Sequence, residues 1–131
     1  MESVNPAPAD ISAALPRMLA RMADKAGELR IVGTAVAAWY DPHSGLVSQA
    51  RACGKMFTPE VNLLAIAGSK IAEMCDTGRP SGCGIRPPAD GEFGYQGGAL
   101  KAVGSGCFLA AFSGASGADD LIVARWGLDA V

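Results

Sequence analysis

The stretch Gly97–Val131 constrains this chain most. Ala99 to Val103 and Gly106 to Phe112 are short runs of strand-forming residues around Gly104-Ser105. Such a run–turn–run pattern reads as a β-hairpin. Ser113-Gly114-Ala115-Ser116-Gly117 then makes a tight turn. Ser116 followed by Asp119 is a capping pair, and Leu121, Ile122, Ala124 and Leu128 populate the helix behind it. Two strands followed directly by a capped helix point to an α+β domain.

The upstream sequence supplies the rest of that domain. Ile11, Leu15, Met18, Leu19 and Met22 recur at helical spacing. Asp10 is placed to cap this helix and Gly27 to stop it, while Pro16 predicts a break or kink. Arg30 to Tyr40 reads as a strand, Asp41-Pro42-His43-Ser44-Gly45 as a turn, and Leu46 to Ala52 as the returning strand of a hairpin. Thr58-Pro59 predicts a helix start, with the helix running to about Asp76. From Asp76 to Gly98 the chain is rich in glycine and proline and lacks periodicity. A loop of that length is usually functional or mobile. Seventeen of the 131 residues are glycine, about 13% against an ordinary ~7%, and most stand from Gly78 onward. Residues 1–9 read as a flexible tail and 10–131 as one domain.

Composition narrows the function classes. A formal net charge of -2 and the lack of a basic stripe argue against nucleic acid. No apolar run approaches the ~20 residues that span a bilayer. MESVNPAPAD has neither a basic nor an apolar leader region, so a cytoplasmic protein is expected. Cys53, Cys75, Cys83 and Cys107 are then expected as reduced thiols. Their spacing, with a single His43, does not suit a metal site.

Several residues invite chemistry. Lys70 falls inside the apolar arc of its predicted helix, between Leu63 and Ile66. A lysine there can neutralise a carboxylate or, if desolvated, act as a base. The plain alternative is a lysine that snorkels at a rim. Arg51 ends a strand and can clamp a carboxylate, or simply be solvated. His43 is the only imidazole, a common haem ligand, but it sits in a hairpin turn. Cys75, Cys83 and Tyr95 can also ligate haem iron. Gly97-Gly98 would let a ligand lie against the backbone, or would mark a bend.

The segments VAAWYDPHSGLVSQARACG, IAGSKIAEM and GGALKAVGSGCFLAAFSGASGADDLIVARWGL, in that order, resemble the GlcG/HbpS-like family, which includes the C-terminal domain of PduO. Asp41, Leu46, Val47 and Arg51 fall on that family's V-V-D-x-x-G-x-L-V-x-x-x-R segment. Ile66, Ala67 and Lys70 fall on its I-A-x-x-K-A helix, and Gly97 and Gly98 on its paired glycines. Leu109 to Ser116 follow its G-A-I-G-V-S-G-A-S segment. Ala99-Leu100 replaces the usual proline after the glycines, and Ala52-Cys53 replaces a Met-Asp. The resemblance implies a profilin-like α/β/α sandwich around a five-stranded antiparallel sheet, self-association into homo-oligomers, and a small-molecule ligand. Haem or a related tetrapyrrole is the ligand it implies; His43, Lys70, Gly97 and Gly98 are the candidate binding residues, with Lys70 and Arg51 as basic groups for propionates. The alternative class is a cofactor-independent isomerase, lyase or hydratase acting on an organic acid. Lys70 and Arg51 would be its catalytic residues.

Overall fold

The computed structural model describes residues 4–131. Seven elements follow in chain order: α1 (Pro8–Leu29), β1 (Gly33–Asp41), β2 (Gly45–Cys53), α2 (Leu63–Thr77), β3 (Gly98–Val103), β4 (Gly106–Ser113) and α3 (Gly117–Leu128). The strands form one antiparallel sheet in the order β2-β1-β4-β3.

The faces of β1 sort the layers. Ala35, Ala37 and Trp39 point into a large core with α1 and α3. Val36 and Ala38 point the other way, into a smaller core with Ala67, Ile71 and Met74 of α2. Period-two alternation of a central strand thus builds an α/β/α sandwich. Nearly all of β1 is buried because helices cover it from both sides.

The sheet has four strands among the described residues, not the expected five. The segment between α2 and β3 adds no strand. Pro80, Pro87 and Pro88 cannot donate to a ladder, and Gly82, Gly84, Gly91 and Gly94 all adopt positive φ. The segment is nevertheless well tied. Arg86 bridges the carboxylates of Asp76 and Glu92 at 2.8 Å each, and the Gly82 amide donates to Glu73 Oε2 at 2.8 Å.

Three local expectations are corrected. Pro16 does not interrupt α1, which runs unbroken from Pro8 to Leu29. Leu15, Met18 and Met22 are fully buried around it, and burying each such side chain contributes about 1.5–3 kcal/mol, enough to offset the ~3 kcal/mol cost of an internal proline. The helix starts at Pro8 rather than being capped by Asp10, and it stops at Arg30 in the left-handed region rather than at Gly27. Thr58-Pro59 forms a turn instead of a helix start: Thr58 Oγ1 accepts from the amides of Glu60 and Val61. Asn62 is the true cap of α2, accepting from the Ala65 amide at 2.9 Å.

The expected tail at residues 1–9 overlaps α1. Residues 1–3 lie outside the described residues. Asn5 is anchored: it donates to Asp41 Oδ2 and accepts from the Ser105 amide, both at 2.8 Å. No described helix is long and apolar enough to cross a membrane.

Candidate functional site

A cleft of about 530 Å³ opens where the N-terminal half of α2, the end of β4 and the start of α3 converge. Leu63, Ile66 and Lys70 line it from α2. Ser113, Gly114 and Ala115 form its floor, Gly117 and Asp120 come from α3, and Gly94, Tyr95 and Gln96 close it from the long loop.

Lys70 is its central charged group. It is 2% exposed and does not snorkel to the surface. Its Nζ donates to the Phe112 carbonyl at 2.6 Å and to Asp120 Oδ2 at 3.1 Å. The other oxygen, Asp120 Oδ1, accepts from the Ala115 amide at 3.0 Å. The pair therefore ties α2 to the end of β4 and to the first turn of α3. Burial pushes the Lys70 ammonium down from its ordinary pKa, and the nearby Asp120 carboxylate opposes that shift. Burial pushes the Asp120 carboxyl up, opposed chiefly by the Lys70 charge. Each group is thus biased toward its neutral form while the two hold each other ionised.

Gly97 makes this packing possible. Its φ is +122°, and a Cβ there would lie 2.5 Å from Lys70 Nζ and 2.6 Å from Asp120 Cβ. A Cβ on Gly98 would meet Met74 and the Ser81 hydroxyl, which accepts from the Gly98 amide at 2.9 Å. Neither glycine lines the cleft. Their open space is filled by the chain's own side chains.

The other sequence candidates lie apart. Ser113, on the cleft floor, flanks Thr34 at one end of the sheet, whereas Tyr40 at the far end leads into the turn that carries His43. Six steps along the strand separate Thr34 from Tyr40, roughly 20 Å at ~3.4 Å per residue. His43 is exposed there, and its amide donates to Asp41 Oδ1 at 2.8 Å. Arg51 pairs with Ala35, so its side chain shares the α1/α3 face, whereas Lys70 belongs to the opposite layer. Lys70 and Gly97 are brought together; Arg51 and His43 join neither each other nor the cleft.

Asp120, Ser113, Gln96, Leu63 and Ile66 were not singled out from the sequence as site residues. The capping pair Ser116–Asp119 places Asp120 in a first helical turn, but nothing local couples it to a lysine 50 residues away. The Ser113 hydroxyl is buried without a hydrogen-bond partner among the described residues. Tyr95 is 53% exposed at the cleft and stacks on Phe93 with ring centroids 5.5 Å apart. All four cysteines are free; Cys83 is exposed and the other three are partly buried. Burial raises the Cys75 pKa to about 11, with a contribution from the neighbouring Cys107.

No protein-family model matches the chain, and no curated protein is similar to it in sequence. Solved structures do share its fold. Klebsiella pneumoniae protein ORFY, a DUF336 protein, is 15% identical with a TM-score of 0.66, over 99% of this chain and 91% of its own. A PduOC:haem complex is 17% identical with a TM-score of 0.64, over 91% of this chain and 92% of its own. A double mutant of Streptomyces reticuli HbpS is 17% identical with a TM-score of 0.60, over 100% of this chain and 90% of its own. At these identities the likeness is one of fold. It is the fold that the resemblance to the GlcG/HbpS-like family implies, with four strands here.

Proposed function

We propose that the chain is a self-associating small-molecule-binding domain of the GlcG/HbpS-like type whose cleft takes haem or a related tetrapyrrole. The observation that carries this reading is the match of nearly the whole chain to a structure determined as a haem complex. The cleft's chemistry is compatible with such a group. Leu63 and Ile66 give an apolar wall, and the stacked Phe93–Tyr95 pair gives a flat aromatic shelf at the mouth. Tyr95 is the lining residue with an established class of iron-ligating atom, so it replaces His43 as the ligand candidate. Lys70 is already satisfied by Asp120 and Phe112; its part is to hold the cleft walls together. A bound haem would supply redox-active iron, and the chain would supply binding and orientation.

Titration with hemin tests the reading. A shifted, saturable Soret band is expected, weakened by Tyr95→Phe and unchanged by His43→Ala. A spectrum identical to free hemin at every protein concentration would count decisively against it.

One observation favours a second reading, a cofactor-independent enzyme acting on an organic acid. Lys70 and Asp120 both line the cleft, and both are biased toward neutrality by burial. Proton-transferring groups are commonly tuned this way. In this reading Lys70 is the acid/base group, and Arg51 stands outside the cleft. Full turnover of an organic-acid substrate by Lys70→Met would eliminate it.

A further inference from the structure

From the geometry of its free edge, we infer that β2 is the surface through which two copies of this chain join, strand to strand about a two-fold axis at Gln49. The strand ends the sheet order, so one row of its amides and carbonyls faces outward without a ladder partner among the described residues. Gly45 to Ala52 are all exposed, on both faces of the sheet, and Cys53 is half-buried. Nine residues at ~3.4 Å each make an edge of roughly 30 Å. Natural edges of that length are usually blunted by proline, lysine or a bulge. This one has neither proline nor lysine, and it pairs with β1 residue for residue.

The sequence of β2 is self-complementary in the antiparallel sense. With Gln49 on the axis, Leu46 faces the partner's Ala52, Ser48 faces Ala50, and Val47 faces Arg51. All nine residues then find a mate and no like charges meet. An axis at Arg51 would set two guanidinium groups opposite each other, which is unfavourable. Leu46 and Val47 are each 51% exposed at one end of the strand. At the other end Val32, 48% exposed, packs against Gly54. Antiparallel pairing lays the Leu46–Val47 end of each copy beside the Ala52–Gly54 end of the other, covering apolar surface twice. The product is one continuous eight-stranded sheet.

This inference rests on the self-association in the proposed function and assigns it a surface; it is independent of what the cleft binds. Light-scattering mass measurements on three proteins test it, with circular dichroism as the fold control. The unaltered chain should have the mass of a dimer or a multiple of one. Val47→Arg, which sets arginine opposite Arg51, should halve that mass. Adding Arg51→Glu should restore it by turning the clash into an ion pair. Hydrogen exchange on the unaltered chain gives a variant-free check: β2 amides should be as protected as those of β1. A monomeric unaltered chain, a Val47→Arg protein of unchanged mass, a folded double variant that stays dissociated, or fast exchange along β2 would each overturn the inference. Hemin binding by the dissociated Val47→Arg protein would show that the ligand reading stands on its own.

Discussion

Replacing Asp120 with asparagine leaves the shape of the buried pair and removes one charge. Lys70 and Asp120 have side-chain exposures of 2% and 5%, and their charged atoms are 3.1 Å apart. At an effective dielectric constant of about 20, that separation corresponds to an attraction on the order of 5 kcal/mol. Asparagine can still accept from the Ala115 amide, so the loss is concentrated on Lys70. Its ammonium keeps the Phe112 carbonyl but has no counter-charge. Breaking one side of a buried pair costs about 3–5 kcal/mol, whereas removing both charges is often close to neutral. Asp120→Asn should therefore lose about 3–5 kcal/mol, and Lys70→Met/Asp120→Asn should recover at least about 2 kcal/mol of it. Urea unfolding at pH 7, followed by circular dichroism, reads both values. Should Asp120→Asn be unfolded in water, refolding by the added Lys70→Met is the same result in a stronger form. The reasoning fails if Asp120→Asn lies within about 1 kcal/mol of the parent, or if the double variant is no more stable than Asp120→Asn.

Gly97→Ala meets both a φ of +122° and a 2.5 Å contact with Lys70 Nζ; it should destabilise by about 3 kcal/mol or more in the same assay, summing backbone strain and overpacking. Ser113→Ala removes a buried hydroxyl that has no partner among the described residues; thermal unfolding should show no loss, or a gain of about 1 kcal/mol. Cys75, with its pKa raised to about 11, should stay unalkylated by iodoacetamide at pH 8 while Cys83 reacts. Because the folded state keeps a proton that the unfolded state releases near pH 9, the Cys75 contribution should make stability fall as pH rises from about 9 to 11. A Cys75→Ser variant should lose that slope in pH-dependent denaturation.

Strand and helix identity was legible because burial on one face or two leaves a period in the residues. The hairpin β1–β2, the hairpin β3–β4 and the cap at Ser116 all stand where turn chemistry puts them. Helix ends were less legible. Thr58-Pro59 carries a start signal that the fold uses for a turn, and α2 begins behind Asn62 instead. Pro16 was misleading because tertiary burial outweighed a local cost. Lys70 could be placed in an apolar arc from the sequence, but its partner could not. Asp120 reaches it through the sheet end, across a separation on which local periodicity is silent. Arg51 and Lys70 show the converse: residues that follow a pattern in order can still lie on opposite faces of a sheet.

The two core layers are unequal. Among the described residues, the apolar cluster that joins α1 and α3 to the sheet has seventeen buried members, and the one that holds α2 has seven. In terms of cooperative units, α2 is the thin leaf of the molecule, and the Lys70–Asp120 pair fastens it to the thick one. Partial opening should thus begin at α2, with the rest of the fold intact. The same leaf is one wall of the cleft. Whatever fills the cleft would therefore act as a second fastening, and ligand affinity would be read out as slower exchange of the α2 amides while those of α1 stay as they are.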